Sequence, residues 1–153
     1  MQLNRKLSKY AGRTFDISVL HGAAEQGESE LDISLLHKGG AVCTGIQKLI
    51  QRFFLLMVTP AGSMTFAPGR GSDFLKSVSR ARSEAAVQIA FQFALMDVRA
   101  QLKAEETEEV PDDERFRDAV LLDAVFFGDS LSLSIALTSQ AGITEEIILP
   151  VYL

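Results

Sequence analysis

The spacing of apolar residues predicts one clear amphipathic helix, which begins near Gly45 and ends near Val58. Apolar positions recur there every three or four residues, as on the buried face of a helix. The predicted buried residues are Ile46, Leu49, Ile50, Phe53, Phe54 and Met57, and the polar residues opposite them are Gln47, Lys48, Gln51 and Arg52. Thr44 is the predicted cap of the first turn, because its hydroxyl can accept a hydrogen bond from an unpaired amide. Pro60 ends the helix, since it lacks an N–H and restricts Thr59 to extended geometry.

Two breaks rich in proline and glycine follow this helix, at residues 59–62 and 68–71. They predict sharp turns between helices, with residues 64–66 as a short bridge. A second helical region runs from about residue 73 to residue 106. Serines in its first half disfavour a continuous helix, which indicates two helices with a bend. Its predicted buried residues are Ala81, Ala85, Ala86, Ile89, Phe93 and Leu102.

The last third of the chain has the pattern of strands. Residues 105–115 come first, and their acidic side chains repel one another, which predicts an exposed linker. The segments that follow are apolar throughout or alternate with period two. They cover residues 116–127, 131–138 and 143–153. Gly128-Asp129 and residues 140–142 supply the two turns, so the pattern predicts an antiparallel meander of three strands.

Shorter alternating segments near the start predict two more strands, at residues 15–21 and 31–37. Turn-prone residues 22–29 join them. Residues 1–13 contain four basic side chains and no acidic one, and they predict a loose basic arm. The predicted fold is therefore α+β, with two main helices packed on the C-terminal meander and short N-terminal strands, in a single domain over residues 14–153.

Composition narrows the class of protein. A chain of 153 residues with 47% hydrophobic residues is long enough to bury one core. Cys43 is the only cysteine, which excludes an internal disulfide and a cysteine-based zinc site. No segment has the length or hydropathy of a signal peptide or a membrane span, so we expect neither membrane association nor export by a cleaved signal.

Charge is distributed unevenly along the chain. Residues 1–103 contain 13 basic and 8 acidic side chains, whereas residues 104–153 contain 2 basic and 12 acidic ones. Arg70, Lys76, Arg80 and Arg82 form a modest positive patch. Because no aromatic residues are interleaved with them and the whole chain is acidic, the patch favours a protein partner over nucleic acid.

No known catalytic, cofactor or metal motif is present. The glycines at positions 69 and 71 lack the lysine and the spacing of a phosphate-binding loop. His21 and His37 end strand-like segments without converging on a carboxylate, and Cys43 has no neighbour that would activate it. The carboxylates that could serve a glycosidase are Asp73, Glu84, Asp97 and Asp123, but sequence alone cannot pair them. We therefore expect no catalytic residues, no cofactor and no metal.

A resemblance to a known family rests on four segments. Residues 44–52, 55–63 and 68–74 read TGIQKLIQR, LLMVTPAGS and PGRGSDF, and residues 147–153 read IILPVYL. The order of these segments resembles that of the gene-25-like baseplate wedge proteins of contractile phage tails, which are related to a type VI secretion baseplate component. Members of that family have a short helix, an "LLT-x-x-G" turn, a "P-x-x-G" loop, a second helix and a similar final strand. Many of them also carry Glu-Pro-Arg after the second helix. That triplet is missing here, where residues 96–100 read MDVRA.

The resemblance implies a non-enzymatic virion component, assembled in the host cytoplasm into the tail baseplate and present in several copies in a ring. It implies contacts with the tail sheath protein, other wedge proteins and the tail tube. Sheath assembly would start by strand exchange at the C-terminal strand, either donated or completed by a partner strand. The residues assigned to this exchange are Ile147, Leu149, Val151, Tyr152 and Leu153, and those assigned to wedge partners are Arg70, Lys76, Arg80 and Arg82.

Two other functions remain open at this stage. A small acidic α+β protein could be a secretion-type chaperone that holds an extended client. It could also be a peptidoglycan-degrading, lysozyme-like enzyme, an activity associated with some relatives of the family. No carboxylate pair in the sequence supports the second alternative.

Overall fold

The computed structural model describes residues 16–17 and 42–152. Several predictions from the sequence lie outside these residues: the arm at residues 1–13, the strand at residues 15–21 except for residues 16–17, the turn at residues 22–29, the strand at residues 31–37, and Leu153. His21 and His37 also lie outside them. The first described strand, β1 (Asp16–Ile17), pairs antiparallel with β2 (Val42–Cys43).

The C-terminal meander is confirmed. It consists of β3 (Phe116–Phe127), β4 (Ser130–Ser139) and β5 (Thr144–Tyr152), which lie in the order β3-β4-β5 with antiparallel pairing. Gly128 begins the first turn with φ 56°, the left-handed conformation that a tight hairpin needs. Along β4 every second side chain is buried, so one face of the sheet covers the core and the other faces outward.

The described chain has three helices, of which the two long ones contact this sheet and the short one packs on the other two, and the fold is α+β. Helix α1 (Ile46–Val58) ends where Pro60 predicts, with Thr59 in extended geometry. The bent second region is also confirmed, as α2 (Phe74–Val78) and α3 (Glu84–Glu105). Ser83 separates them, and its hydroxyl accepts a 3.3 Å hydrogen bond from the amide of Ala86, which caps α3.

Aromatic side chains hold the helices to the sheet and to one another. The ring of Phe53 in α1 stacks on that of Phe116 in β3, with centroids 6.1 Å apart. Phe74 in α2 and Phe91 in α3 meet edge to face at 6.3 Å. All four rings are fully buried. Aromatic pairs of this kind contribute roughly 0.5–1.5 kcal/mol each beyond the area they bury.

Some of the predicted core positions are wrong. Ala85, Ile89 and Phe93 face solvent on α3; Ile89 is 59% exposed and Phe93 67% exposed. Apolar residues occur on all sides of α3, and the side that is buried contains residues other than the predicted ones. These are Val87, Ala90, Phe91, Ala94, Leu95, Val98 and Leu102. In α1, Gln51 was predicted on the solvent face but is buried.

The loop between α1 and α2 is closed at its base. Ser72 donates its amide to the carbonyl of Thr59 at 2.9 Å and its hydroxyl to the carbonyl of Met57 at 2.8 Å. Gln101 of α3 bonds both backbone groups of Gly71, at 2.9 Å and 2.8 Å. Phe66 lies at the tip and is 88% exposed. The two proline and glycine breaks thus form a loop that hydrogen bonds hold at its base, in agreement with the prediction of sharp turns between helices.

Candidate functional site

The acidic segment does not behave as a simple exposed linker. Most of residues 105–115 are exposed or half-buried, but Glu114 is completely buried, so the prediction is wrong there. One of its carboxylate oxygens accepts from the amide of Gly45 at 3.1 Å, and the other lies 3.3 Å from the ammonium of Lys48. The prediction that Thr44 caps α1 is wrong: Gly45 is the N-cap residue, and its amide donates to the Glu114 carboxylate. A negative charge at the N-terminus of α1 also interacts favourably with the helix dipole.

A second buried polar group lies beside β1 and β2. The Cys43 S–H is 3.6 Å from the carbonyl of Asp16 and 3.7 Å from the side-chain oxygen of Gln51, whose amide donates to the Asp16 carboxylate at 3.3 Å. Burial raises the pKa of the Cys43 thiol, and the Asp16 charge raises it further. A thiol that keeps its proton is a poor nucleophile. The cluster therefore has the chemistry of a structural contact.

We expect this thiol to make stability depend on pH. The folded chain holds the Cys43 proton to a higher pH than the unfolded chain does, so stability is fully present below the unfolded thiol pKa of about 8.5 and is lost as pH rises above it. The free energy of unfolding of the wild type, minus that of Cys43→Ala, should fall between pH 8 and pH 10. Urea unfolding of both proteins measures it, and a constant difference would contradict the assignment.

Two of the candidate catalytic carboxylates, Glu84 and Asp97, lie too far apart to form a pair. Asp73, Glu84, Asp97 and Asp123 are all exposed. Glu84 and Asp97 lie 13 residues apart on α3, which places their backbones about 20 Å apart along the helix axis. The carboxylates of glycosidases lie roughly 5–9.5 Å apart. A hollow of about 320 Å³ on the exposed side of α3, lined by Gln88, Ile89, Gln92, Phe93 and Met96, contains no ionisable group.

The two borders of the three-stranded sheet have backbone groups that form no hydrogen bond to another described strand. Neither β3 nor β5 pairs with another strand on its outer side among residues 16–17 and 42–152. The amide of Ser139 donates to the carbonyl of Ile143 at 2.9 Å, which continues the β4–β5 register by one pair. Bonded and non-bonded pairs alternate in an antiparallel ladder. The odd-numbered residues of β5 therefore bond β4, and the even-numbered ones direct their N–H and C=O groups to the open border.

Pro150 agrees with this alternation. It lies opposite Ser132 without interrupting the register, and a proline is tolerated in a strand where its nitrogen faces the open border. The amides directed outward are then those of Thr144, Glu146, Ile148 and Tyr152. The border of β5 is regular in backbone geometry, and proline removes one donor near its end.

The border of β3 is less regular. Its register with β4 shifts between Phe116 and Asp118 and again between Leu121 and Asp123. Such bulges bend a strand and disturb its ladder, and they are one way in which sheet edges are protected from further pairing. Of the two borders, β5 is the better template for an added strand.

The residues assigned to strand exchange have two different positions. Leu149 and Val151 are buried and Ile147 is packed against the core, so their side chains contribute to the protein's own interior. Tyr152 is 86% exposed on the outer face, on which Ile148 is also exposed. Sequence reasoning missed Ile148, Glu146 and Pro150, although the position of Pro150 in an alternating segment already indicated which residues face the border.

The assigned basic residues lie in the helical layer and do not border the sheet. Lys76 and Arg80 are exposed on and just after α2, and Arg82 caps nearby carbonyls, those of Ser79 and Ala81. Arg70 is 3.2 Å from Glu105, which also pairs with Arg52 at 2.8 Å. Lys76 and Arg80 have no ion pair with another described residue, so their positive charges are uncompensated, whereas the charge of Arg70 is paired with that of Glu105.

No family model matches the chain, and comparisons with curated proteins and with solved structures gave no match either. None of the helices within residues 42–152 is long and apolar enough to cross a bilayer. In the described part of the chain, no three His, Cys, Asp or Glu side chains are grouped to hold a metal ion.

Proposed function

We propose that the protein is a structural baseplate wedge component of a contractile tail, and that it starts sheath assembly by accepting a strand from a sheath subunit at the open border of β5. Its place would be the virion baseplate, next to other wedge proteins and the tail tube. The observation that carries the proposal is the border of β5, a regular row of outward-facing backbone groups at the C-terminal end of the described chain.

Two features favour acceptance of a strand over donation of β5. All nine residues of β5 are paired with β4, and Leu149 and Val151 are buried in the protein's own core. Donation would break that ladder and expose both side chains, at a cost of roughly 1.5–3 kcal/mol for each fully buried side chain. Acceptance leaves the fold intact and uses groups that are already directed outward.

The substitution Ile148→Pro tests this directly. It removes one outward-facing N–H and no bond within the chain, because the backbone groups of Ile148 point away from β4. We expect the variant to keep the circular dichroism spectrum of the wild type and nearly the same melting temperature. Its association with purified tail sheath protein, measured by sedimentation, should fall by about tenfold or more.

Two variants complete the experiment. Ile148→Val keeps both the amide and an apolar, β-branched side chain, so it should bind sheath as the wild type does. Leu149→Pro removes a donor that bonds β4 and should destabilise the fold itself. If Ile148→Pro is folded and assembles sheath normally, strand acceptance at this border is wrong. Deleting residues 147–153 would be less informative, since it also removes the core contacts of Leu149 and Val151.

A further inference from the structure

The open border of β5 has an acidic segment followed by a longer uncharged one. Glu145 and Glu146 stand at its start, both exposed, and neither has an ion pair with a described residue. Glu146 accepts a hydrogen bond from the hydroxyl of Ser134 on the outer face. From Ile147 to Tyr152 the strand contains no charged residue. A strand laid along this border would cross an acidic segment first and an uncharged, mainly apolar one afterwards.

The side chains of an added strand would lie beside those of β5 in two rows. On the outer face they would meet Glu146, Ile148, Pro150 and Tyr152, and Ile148 and Tyr152 are largely exposed there. Neighbouring strands favour opposite charges side by side and disfavour like charges, while apolar pairs gain from mutual burial. Each position of β5 therefore specifies a type of partner residue.

The negative charge of the whole sheet also favours a basic partner segment. Residues 104–153, which include the whole sheet, contain 12 acidic and 2 basic side chains. Asp118 and Asp123 are exposed on β3, two strands away from the border. A partner segment that approaches the sheet thus moves through a negative field, which favours a basic segment during encounter.

We propose that the segment accepted by β5 carries two adjacent lysine or arginine residues where it crosses Glu145 and Glu146, and apolar β-branched or aromatic residues where it crosses Ile148 to Tyr152. The inference rests on the proposed function, because it specifies the partner of the same border. The acidic pair sets the register of the incoming strand, since a shift by two residues would bring its basic residues beside Ile148. Pro150 offers no donor, so one carbonyl of that strand remains in water.

Synthetic peptides of the length of β5 test the proposal with the full chain. One is a blocked nine-residue Thr/Val peptide with two lysines next to its C-terminal residue, for antiparallel pairing, and a second has the lysines next to its N-terminal residue, for parallel pairing. Matched controls replace both lysines by glutamates. Binding is followed by the amide shifts of Glu146, Ile148 and Tyr152 in the ¹⁵N-labelled protein.

In the orientation that binds, we expect the lysine peptide to bind about tenfold more tightly than its glutamate control. Added salt should reduce this preference. The double variant Glu145→Lys, Glu146→Lys should lose or reverse it, with unchanged circular dichroism. If a lysine peptide and its glutamate control bind equally well at the border of β5, the charge specification is wrong, but strand acceptance is not contradicted. Absence of shifts at the border of β5 with every peptide would overturn both.

Discussion

The variant Glu114→Ala should be less stable than the wild type by about 3 kcal/mol. The substitution removes the acceptor of the buried Gly45 amide and the carboxylate that lies 3.3 Å from the ammonium of Lys48. Lys48 is only 16% exposed at its side chain, so water compensates little of the lost attraction. Urea unfolding measures the change, and the melting temperature should fall by about 6–12 °C.

Two control variants separate the parts of this effect. Glu114→Gln keeps an oxygen for the amide of Gly45 and removes the charge, so its loss should be about half as large. Lys48→Met should also destabilise the protein, because it leaves the carboxylate buried beside a neutral residue. A free energy of unfolding within about 0.5 kcal/mol of the wild type for Glu114→Ala would contradict the importance of this contact, since surface substitutions have effects of that size.

Gly71→Ala should destabilise the protein by about 2–5 kcal/mol. Gly71 has φ 102°, and a methyl group built on it would lie 2.2 Å from the carbonyl oxygen of Thr59. That oxygen accepts from Ser72 at the closed base of the loop, and Gln101 bonds both backbone groups of Gly71. No flexible side chain can give way here, so the backbone of the loop must shift and lose these bonds.

Gly69→Ala is the matched control for this loop. An added methyl group at that position meets no atom within 4 Å, and its φ is not positive. We expect it to be neutral or slightly stabilising, because alanine restricts the unfolded chain. Equal stability of the Gly71→Ala and Gly69→Ala variants in urea unfolding would show that the loop is not held as described.

Local patterns predicted the elements well. Pro60 and the period of α1 gave its end and most of its buried residues, and Gly128 marked the hairpin between β3 and β4. The burial of α3 was predicted less well, because apolar residues occur around the whole helix. Periodicity cannot decide whether Phe91 or Phe93 is buried, since that depends on where α2 lies in space, and Phe91 packs against Phe74 of that helix.

Contacts between distant residues could not be read from the sequence. Glu114 lies in an acidic run that resembles a solvated linker, and only the fold brings it to Gly45, 69 residues earlier. The two bulges of β3 have no proline or glycine signal either. For the candidate border, the position of β5 at one side of the sheet followed from the predicted meander, while knowing which residues face that border required the register with β4.

The unequal borders of the sheet have a consequence for growth. A strand bound along β5 occupies the regular side, and the bulged β3 gives a poor template on the other. Under the proposed function, such a molecule would start a row of subunits in one direction and would be badly shaped for insertion within that row. It is also a poor building block for fibres of its own kind, which need two compatible sides on every unit.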